Sequence, residues 1–192
     1  LHDAELEPLN RKPIVLVGLP GSGKSSIGRR LGRELDLPFL DSDTVIEDRI
    51  GGTIRDFFER EGEQRFRDIE QAVISELMAS HPGVLATGGG SVIRAANREA
   101  LHGGGHVIYL RTSPEDLFRR LRHDVKRPLL QVVDPLGQLR KLYDERDAFY
   151  RETAHDVVTT GRATLAMVVN IIVSQLELAG VVPAGPRGEP PT

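Results

Sequence analysis

The chain has 192 residues, 39% of them hydrophobic and 28% charged, with a formal charge of −3. That balance describes one soluble domain with room for a core, and it offers no basic excess for nucleic acid. Cysteine is absent, which excludes disulfides and thiolate chemistry and suits a cytoplasmic protein, and no apolar run is long enough for a membrane span or a signal peptide.

Residues 1–12 read as an N-terminal extension. The first apolar run, PIVLVG from Pro13, predicts a buried strand. Directly after it, GLPGSGKSS (Gly18 to Ser26) fits G-x-x-x-x-G-K-[ST]. Glycines at this spacing let the backbone curl so that successive N–H groups point at phosphate oxygens, and the following helix adds its positive end. Lys24 can then reach the β- and γ-phosphates and Ser25 can ligate Mg²⁺. Gly21, Ser22, Gly23 and Ser26 complete the expected ATP contacts of this loop. A glycine-rich turn that merely contains Lys-Ser is the bland alternative, disfavoured by the strand before and the helical pattern after.

A second strand is expected at PFLD from Pro38, leading into FLDSDTVIE. If the strand continues, Asp41 and Asp43 share one face by the two-residue period. Such a pair can hold a metal, orient a hydroxyl group, or cap the next helix, with Asp43 as the candidate cap. GEQRFRDIEQAVISELMAS follows with an apolar stripe at Phe66, Ile69, Val73 and Leu77, spaced for a helix. Beside that stripe Arg67 aligns with Glu70, and taken alone the two read as a surface ion pair.

GVLAT from Gly83 predicts a third strand, and Gly88, Gly89 and Gly90 follow its carboxyl end, where backbone N–H groups face a ligand. A second glycine run, Gly103 to Gly105, instead precedes the fourth strand, HVIYL, and reads as a helix C-cap and turn. His102 and His106 flank it, but the glycines break the helix that a metal pair would need. SPEDLFRRLR predicts a helix capped by Ser113 with Pro114 in its first position. Arg127, in DVKRPLL, suits either a mobile flap over the phosphates or a solvated loop. DPLG at Asp134 fits D-x-x-G but follows no strand, so it reads as a turn. Arg146, in DERDAFY, can pair with acids on its own helix. DVVTT from Asp156 is the fifth strand, a last helix runs near Thr164 to Leu178, and the Pro- and Gly-rich stretch from Val181 reads as a disordered tail.

Five strands alternating with helices predict an α/β domain: a three-layer P-loop kinase fold whose five-stranded parallel sheet is flanked by helices. Ligands in such folds collect at the carboxyl ends of the strands. No N-K-x-D guanine motif is present, and the third strand ends in Thr87 and glycines rather than in an aspartate. A small-molecule kinase is therefore expected.

Taken together, GLPGSGKSS, LDSD, GEQRFRDIE, LATGGGSV, KRPLL and ERDAFY, in register from about Ile14 to Leu178, resemble the shikimate kinases. The resemblance implies transfer of the ATP γ-phosphate to the 3-hydroxyl of shikimate, with Mg²⁺. It implies a single kinase domain over 13–180, with a shikimate-binding region at about 43–80 and a lid at about 122–135. By the same resemblance Arg67 and Arg146 take the shikimate carboxylate, and Asp43 binds the ring hydroxyls and serves as base. Gly89 and Gly90 donate backbone N–H groups, and Asp41 supports the metal through water beside Ser25. Arg127 is the lid arginine and Arg120 lies on adenine. The adenine-side loop, TTGRATL, departs from the family in lacking a proline, with Leu165 near that position. A monomer in the cytoplasm is expected, with shikimate and ATP as partners and neither nucleic acid nor membrane. Two other readings stand beside it: a related kinase of another polyol acid such as gluconate, and a nucleotide-binding regulatory module without an acceptor site.

Overall fold

Alternation along the first strand, β1 (Ile14–Val17), sets the layering, because successive side chains leave opposite faces of the sheet. The protein is described here by a computed structural model covering residues 12–122 and 132–185. β1 is the central strand, paired in parallel with β3 (Val84–Ala86) and β4 (His106–Arg111); β2 (Phe39–Asp41) lies outside β3 and β5 (Asp156–Thr159) outside β4. All five strands stand where the apolar runs place them. The order β2-β3-β1-β4-β5 puts the loop after β1 between the loops that leave β3 and β4.

On one face, Val15 and Val17 pack with Leu85, Val107 and Tyr109 against α4 (Glu63–Ser80), α5 (Ala95–Gly104), α6 (Pro114–Leu121) and α7 (Pro135–Thr153). On the other, Ile14 and Leu16 pack with Val84, Ile108 and Leu110 against α1 (Lys24–Leu35) and α8 (Leu165–Leu178). Two short helices, α2 (Ser42–Ile50) and α3 (Ile54–Glu61), fill the connection between β2 and α4. Phe66, Val73 and Leu77 of the expected α4 stripe are buried and Ile69 packs against them. Ser113 accepts from the Asp116 N–H at 3.1 Å and Thr164 from the Met167 N–H at 3.2 Å, so both helices start where their cap residues predict.

Two expectations need correction. Asp134 does not sit in an isolated turn: it is the N-cap of α7, its carboxylate accepting from the Gly137 N–H at 3.1 Å, with Pro135 in the first helical position. Val182, placed at the start of a disordered tail, is buried with Ile14 and Leu176, because its apolar side chain closes the lower end of the α8 layer. Gly105 does cap α5, its N–H donating to the Leu101 carbonyl at 3.0 Å. Arg127, most of the expected lid, and residues 1–11 and 186–192 lie outside the described residues. Among the described residues no helix is long and apolar enough to cross a membrane.

Candidate active site

The loop after β1 reaches α1 through Gly23, whose φ of 92° lies in the left-handed region where a side chain is strained. No side chain caps α1, so its first N–H groups and the positive end of its dipole face the loop. Lys24 is buried and folds back along the loop, its ammonium donating to the carbonyls of Gly18 at 2.7 Å and Leu19 at 2.8 Å. Arg120, reaching in from α6, donates to the Ser22 carbonyl at 3.2 Å. With Asp116, Gly161, Arg162 and Ala163 it also lines a cavity of about 630 Å³, which brings the TTGRATL loop and Arg120 together.

The acid pair sits at the carboxyl edge, but not as a strand pair. β2 ends at Asp41, and Asp43 already belongs to the first turn of α2, so the two-residue period does not relate them. The cap is Asp41, not Asp43: one Asp41 oxygen accepts from the Asp43 N–H at 2.9 Å, while the other accepts from the Ser25 hydroxyl at 2.5 Å. Asp41, Asp43, Lys24, Ser25 and Ser26 still line one cleft of about 310 Å³ with Pro20, Gly21, Gly23, Thr87, Gly88 and Gly89. Burial, and then the carboxylates of Asp41 and Glu70, push the Asp43 carboxyl from its ordinary 3.8 up to about 6, against the pull of Lys24.

Beyond Asp43 the cleft meets the start of α4. Arg67 is not on the surface, as its reading as a solvated pair has it; it is 8% exposed, and its Nη1 donates at 2.9 Å to Glu70, which is 1% exposed. The pair is the expected one, but it is buried, with Gly90 against the Arg67 guanidinium and Asp43 of α2 close enough to act on Glu70. Arg67 Nε is buried and among the described residues has no hydrogen-bond acceptor, with the Glu63 carboxylate 3.5 Å away. Burial holds the Glu70 carboxyl above its usual range even though Arg67, Arg146 and Arg94 all pull it down. Among the described residues Arg146 makes no ion pair with its helical neighbours; its charge acts on both Glu70 and the Tyr150 phenol, as that of Arg67 does, so the two guanidinium groups face the same place.

Gly88, Gly89 and Gly90 run between these groups. A Cβ on Gly88 would lie 2.6 Å from an Asp43 oxygen, and one on Gly90 would lie 2.5 Å from both terminal nitrogens of Arg67, so a methyl at either position would displace one of these side chains. The Gly88 N–H donates to the buried Ser42 hydroxyl at 3.2 Å, and the Gly89 carbonyl accepts from the Tyr150 hydroxyl at 2.6 Å. Behind Tyr150 its ring packs on Tyr109, with centroids 4.9 Å apart, and nearby the Arg111 Nε donates to the Tyr143 hydroxyl at 2.8 Å.

Of the residues expected from the sequence, Asp41, Asp43, Arg67, the glycines and Arg146 come together here, and three residues that touch them are not among those expected. Ser42 had no signal beyond standing between two acids. Glu70 was seen only as Arg67's neighbour. Tyr150, four residues after Arg146, shares its helix face, a spacing that could have found it. A larger cavity of about 790 Å³ lies at the opposite, amino edge of the strands, lined by Lys12, His106, His155 and Glu177 among others. It holds none of the candidate residues. His102 and His106 meet there, but in a stack around His155, and no group of three or more metal-ligating side chains forms among the described residues.

Comparison with known proteins matches this geometry to one family. The family model described as shikimate kinase matches residues 20–177. The shikimate kinase of Paracidovorax citrulli is 58% identical over 176 residues, covering 90% of this chain and 96% of that protein. Among solved structures, the shikimate kinase of Acinetobacter baumannii in complex with shikimate is similar at a TM-score of 0.81 and 44% identity, over 88% of this chain and 94% of that one. A gluconokinase from Sinorhizobium meliloti is similar at a TM-score of 0.56 and 22% identity, over 88% and 93%, a likeness of fold alone.

Proposed function

The chain belongs to the shikimate kinase family, and we propose that it transfers the γ-phosphoryl group of ATP to the 3-hydroxyl of shikimate, giving shikimate 3-phosphate and ADP. One observation supports the reading: the Gly18–Ser26 loop, the Asp43 carboxyl raised to about 6, and Arg67 and Arg146 beside Glu70 come together at one strand edge. A relative solved with shikimate bound supports the same acceptor. The gluconate alternative has only a fold likeness behind it.

In this reading Asp43 accepts the proton of the acceptor hydroxyl as that oxygen bonds to the γ-phosphorus. The bond from phosphorus to the β–γ bridging oxygen breaks and its electron pair leaves with ADP. Because phosphoryl transfer passes through a loose transition state, Asp43 contributes mainly by orienting the hydroxyl. Arg67 and Arg146 hold the shikimate carboxylate, a task suited to planar, bidentate donors. Gly89 and Gly90 offer N–H groups to the ring. Gly21, Ser22, Gly23, Lys24, Ser25 and Ser26 hold the phosphates, Arg120 lies beside the adenine, and Arg127 closes over the transferring group from the lid at about 122–135.

Kinases of this family work on ATP with a divalent metal, and the oxygens of Ser25 and Asp41, 2.5 Å apart in the phosphate cleft, are the hard donors such a cation prefers. We assign Mg²⁺, with Ser25 as direct ligand and Asp41 acting through water; when bound, the ion neutralises charge on the phosphates. One domain over 13–180, working as a cytoplasmic monomer, completes the reading.

The test is an assay of purified protein with MgATP and a panel of hydroxy-acids, following ADP release and identifying the product. Shikimate should drive turnover and gluconate should not. ADP release that ignores shikimate overturns the proposal, and nucleotide binding without any transfer would favour the regulatory module.

A further inference from the structure

Tyr150 is buried in the core, yet its hydroxyl reaches the rim of the acceptor cleft. A phenol has one O–H to donate and lone pairs to accept with. Here the O–H goes to the Gly89 carbonyl at 2.6 Å, and the charge of Arg146, one helical turn earlier on α7, acts on the same phenol. Burial pushes the phenol up to about 12, so it stays a donor at any working pH. The ring cannot drift, since it lies against Tyr109, itself fixed by an O–H bond to Asp147 at 2.8 Å.

The consequence follows from the planar trans peptide. The Gly89 carbonyl and the Gly90 N–H belong to one rigid unit and point in opposite directions. Holding the carbonyl toward α7 turns the Gly90 N–H away from α7. Among the described residues neither the Gly89 nor the Gly90 N–H has an acceptor. Gly90 also lies against the Arg67 guanidinium, so the fixed donor stands beside the anion seat. Without an anchor this stretch, with no side chains of its own, would be free to rotate the peptide.

We propose that Tyr150 is a positioning residue for the acceptor: its hydroxyl locks the Gly89–Gly90 peptide into one arrangement, so that a backbone donor meets the hydroxy-acid beside the Arg67 guanidinium. It touches neither substrate. The inference rests on the proposed shikimate kinase reaction and adds a residue to it.

Tyr150→Phe keeps the ring and removes only the anchor. Loss of one well-formed hydrogen bond predicts a rise in the shikimate KM of about five- to tenfold. kcat should fall less than about threefold, since an interaction equal in ground and transition states moves KM alone, and the ATP KM should not change. The unfolding midpoint should drop by about 2–4 °C, as for any buried hydrogen bond in a chain of this size. A midpoint that drops while both KM values stay put would make the hydroxyl merely structural and overturn the proposal. So would equal rises in the KM for shikimate and ATP. If the variant does not fold, wild-type protein still decides: the Gly90 amide resonance should shift on adding shikimate and not on adding ADP alone, and no shift overturns the idea. Absence of shikimate turnover in the wild type is a different result, which removes the reaction itself.

Discussion

Two Gly-Gly-Gly runs lie at opposite edges of one sheet and do different work. Gly88 to Gly90 leave the carboxyl end of β3, and added methyl groups there would strike Asp43, Pro20 and Arg67. Gly103 to Gly105 end α5 at the amino end of β4; a methyl on Gly103 meets nothing within 4 Å, and those on Gly104 and Gly105 meet Met78, with the Pro13 carbonyl also close to the latter. The first run leaves room for the side chains of the candidate cleft and the second is a helix end. Composition does not distinguish them, but the edge of the sheet does.

The sharpest way to press that contrast is Asp43→Asn at the catalytic edge. Removing a positioned base should cost about 10²–10⁴ in kcat while ATP binding survives. The same change should stabilise the protein. Asp43 binds its proton more tightly folded than unfolded between pH 3.8 and about 6, so its neutral form supports the fold at low pH and that support is lost as pH rises through about 6. Each pKa unit is worth about 1.4 kcal/mol, so the asparagine variant should gain on the order of 1–3 kcal/mol at pH 7.5 in denaturant titrations. The gain should shrink toward pH 4, and a constant gain would remove burial of charge as its cause.

Next in size, Gly90→Ala should lower kcat/KM for shikimate by about a hundredfold, because a misplacement of about 1 Å near the reacting groups costs that much. Gly103→Ala should leave kinetics untouched and add about 0.4–1 kcal/mol of stability, since alanine is the better residue in an unstrained helix end. Similar outcomes at the two runs would erase the distinction between them. Smallest is the pH profile: kcat/KM should be level above about pH 6 and fall as Asp43 takes up its proton below it, a limb that Asp43→Asn abolishes.

The strands and their order were legible because short apolar runs alternate with helical stripes, leaving little choice of layers. The cleft was legible where a motif fixes backbone as well as side chain, as in Gly18 to Ser26. Asp43 was found at the right place by a period that does not apply to it, since the chain turns into α2 one residue earlier. Arg67 and Glu70 misled for a physical reason: three residues apart on a helix, a solvated pair and a buried one have the same spelling, and only the cover of other elements tells them apart. Tyr150 looks like core because it is core, apart from one oxygen.

The tyrosines give the molecule an optical consequence. The chain has no tryptophan and three tyrosines, and all three stand along β4 and α7: Tyr109, Tyr143 and Tyr150. Tyr109 and Tyr150 touch, and the latter holds the loop beside the acceptor cleft. The tyrosine emission of the protein therefore comes from β4 and α7 alone, with no brighter indole elsewhere to mask it. Binding of a hydroxy-acid beside Gly89 should then change the tyrosine emission of the native protein, without a label or an added fluorophore.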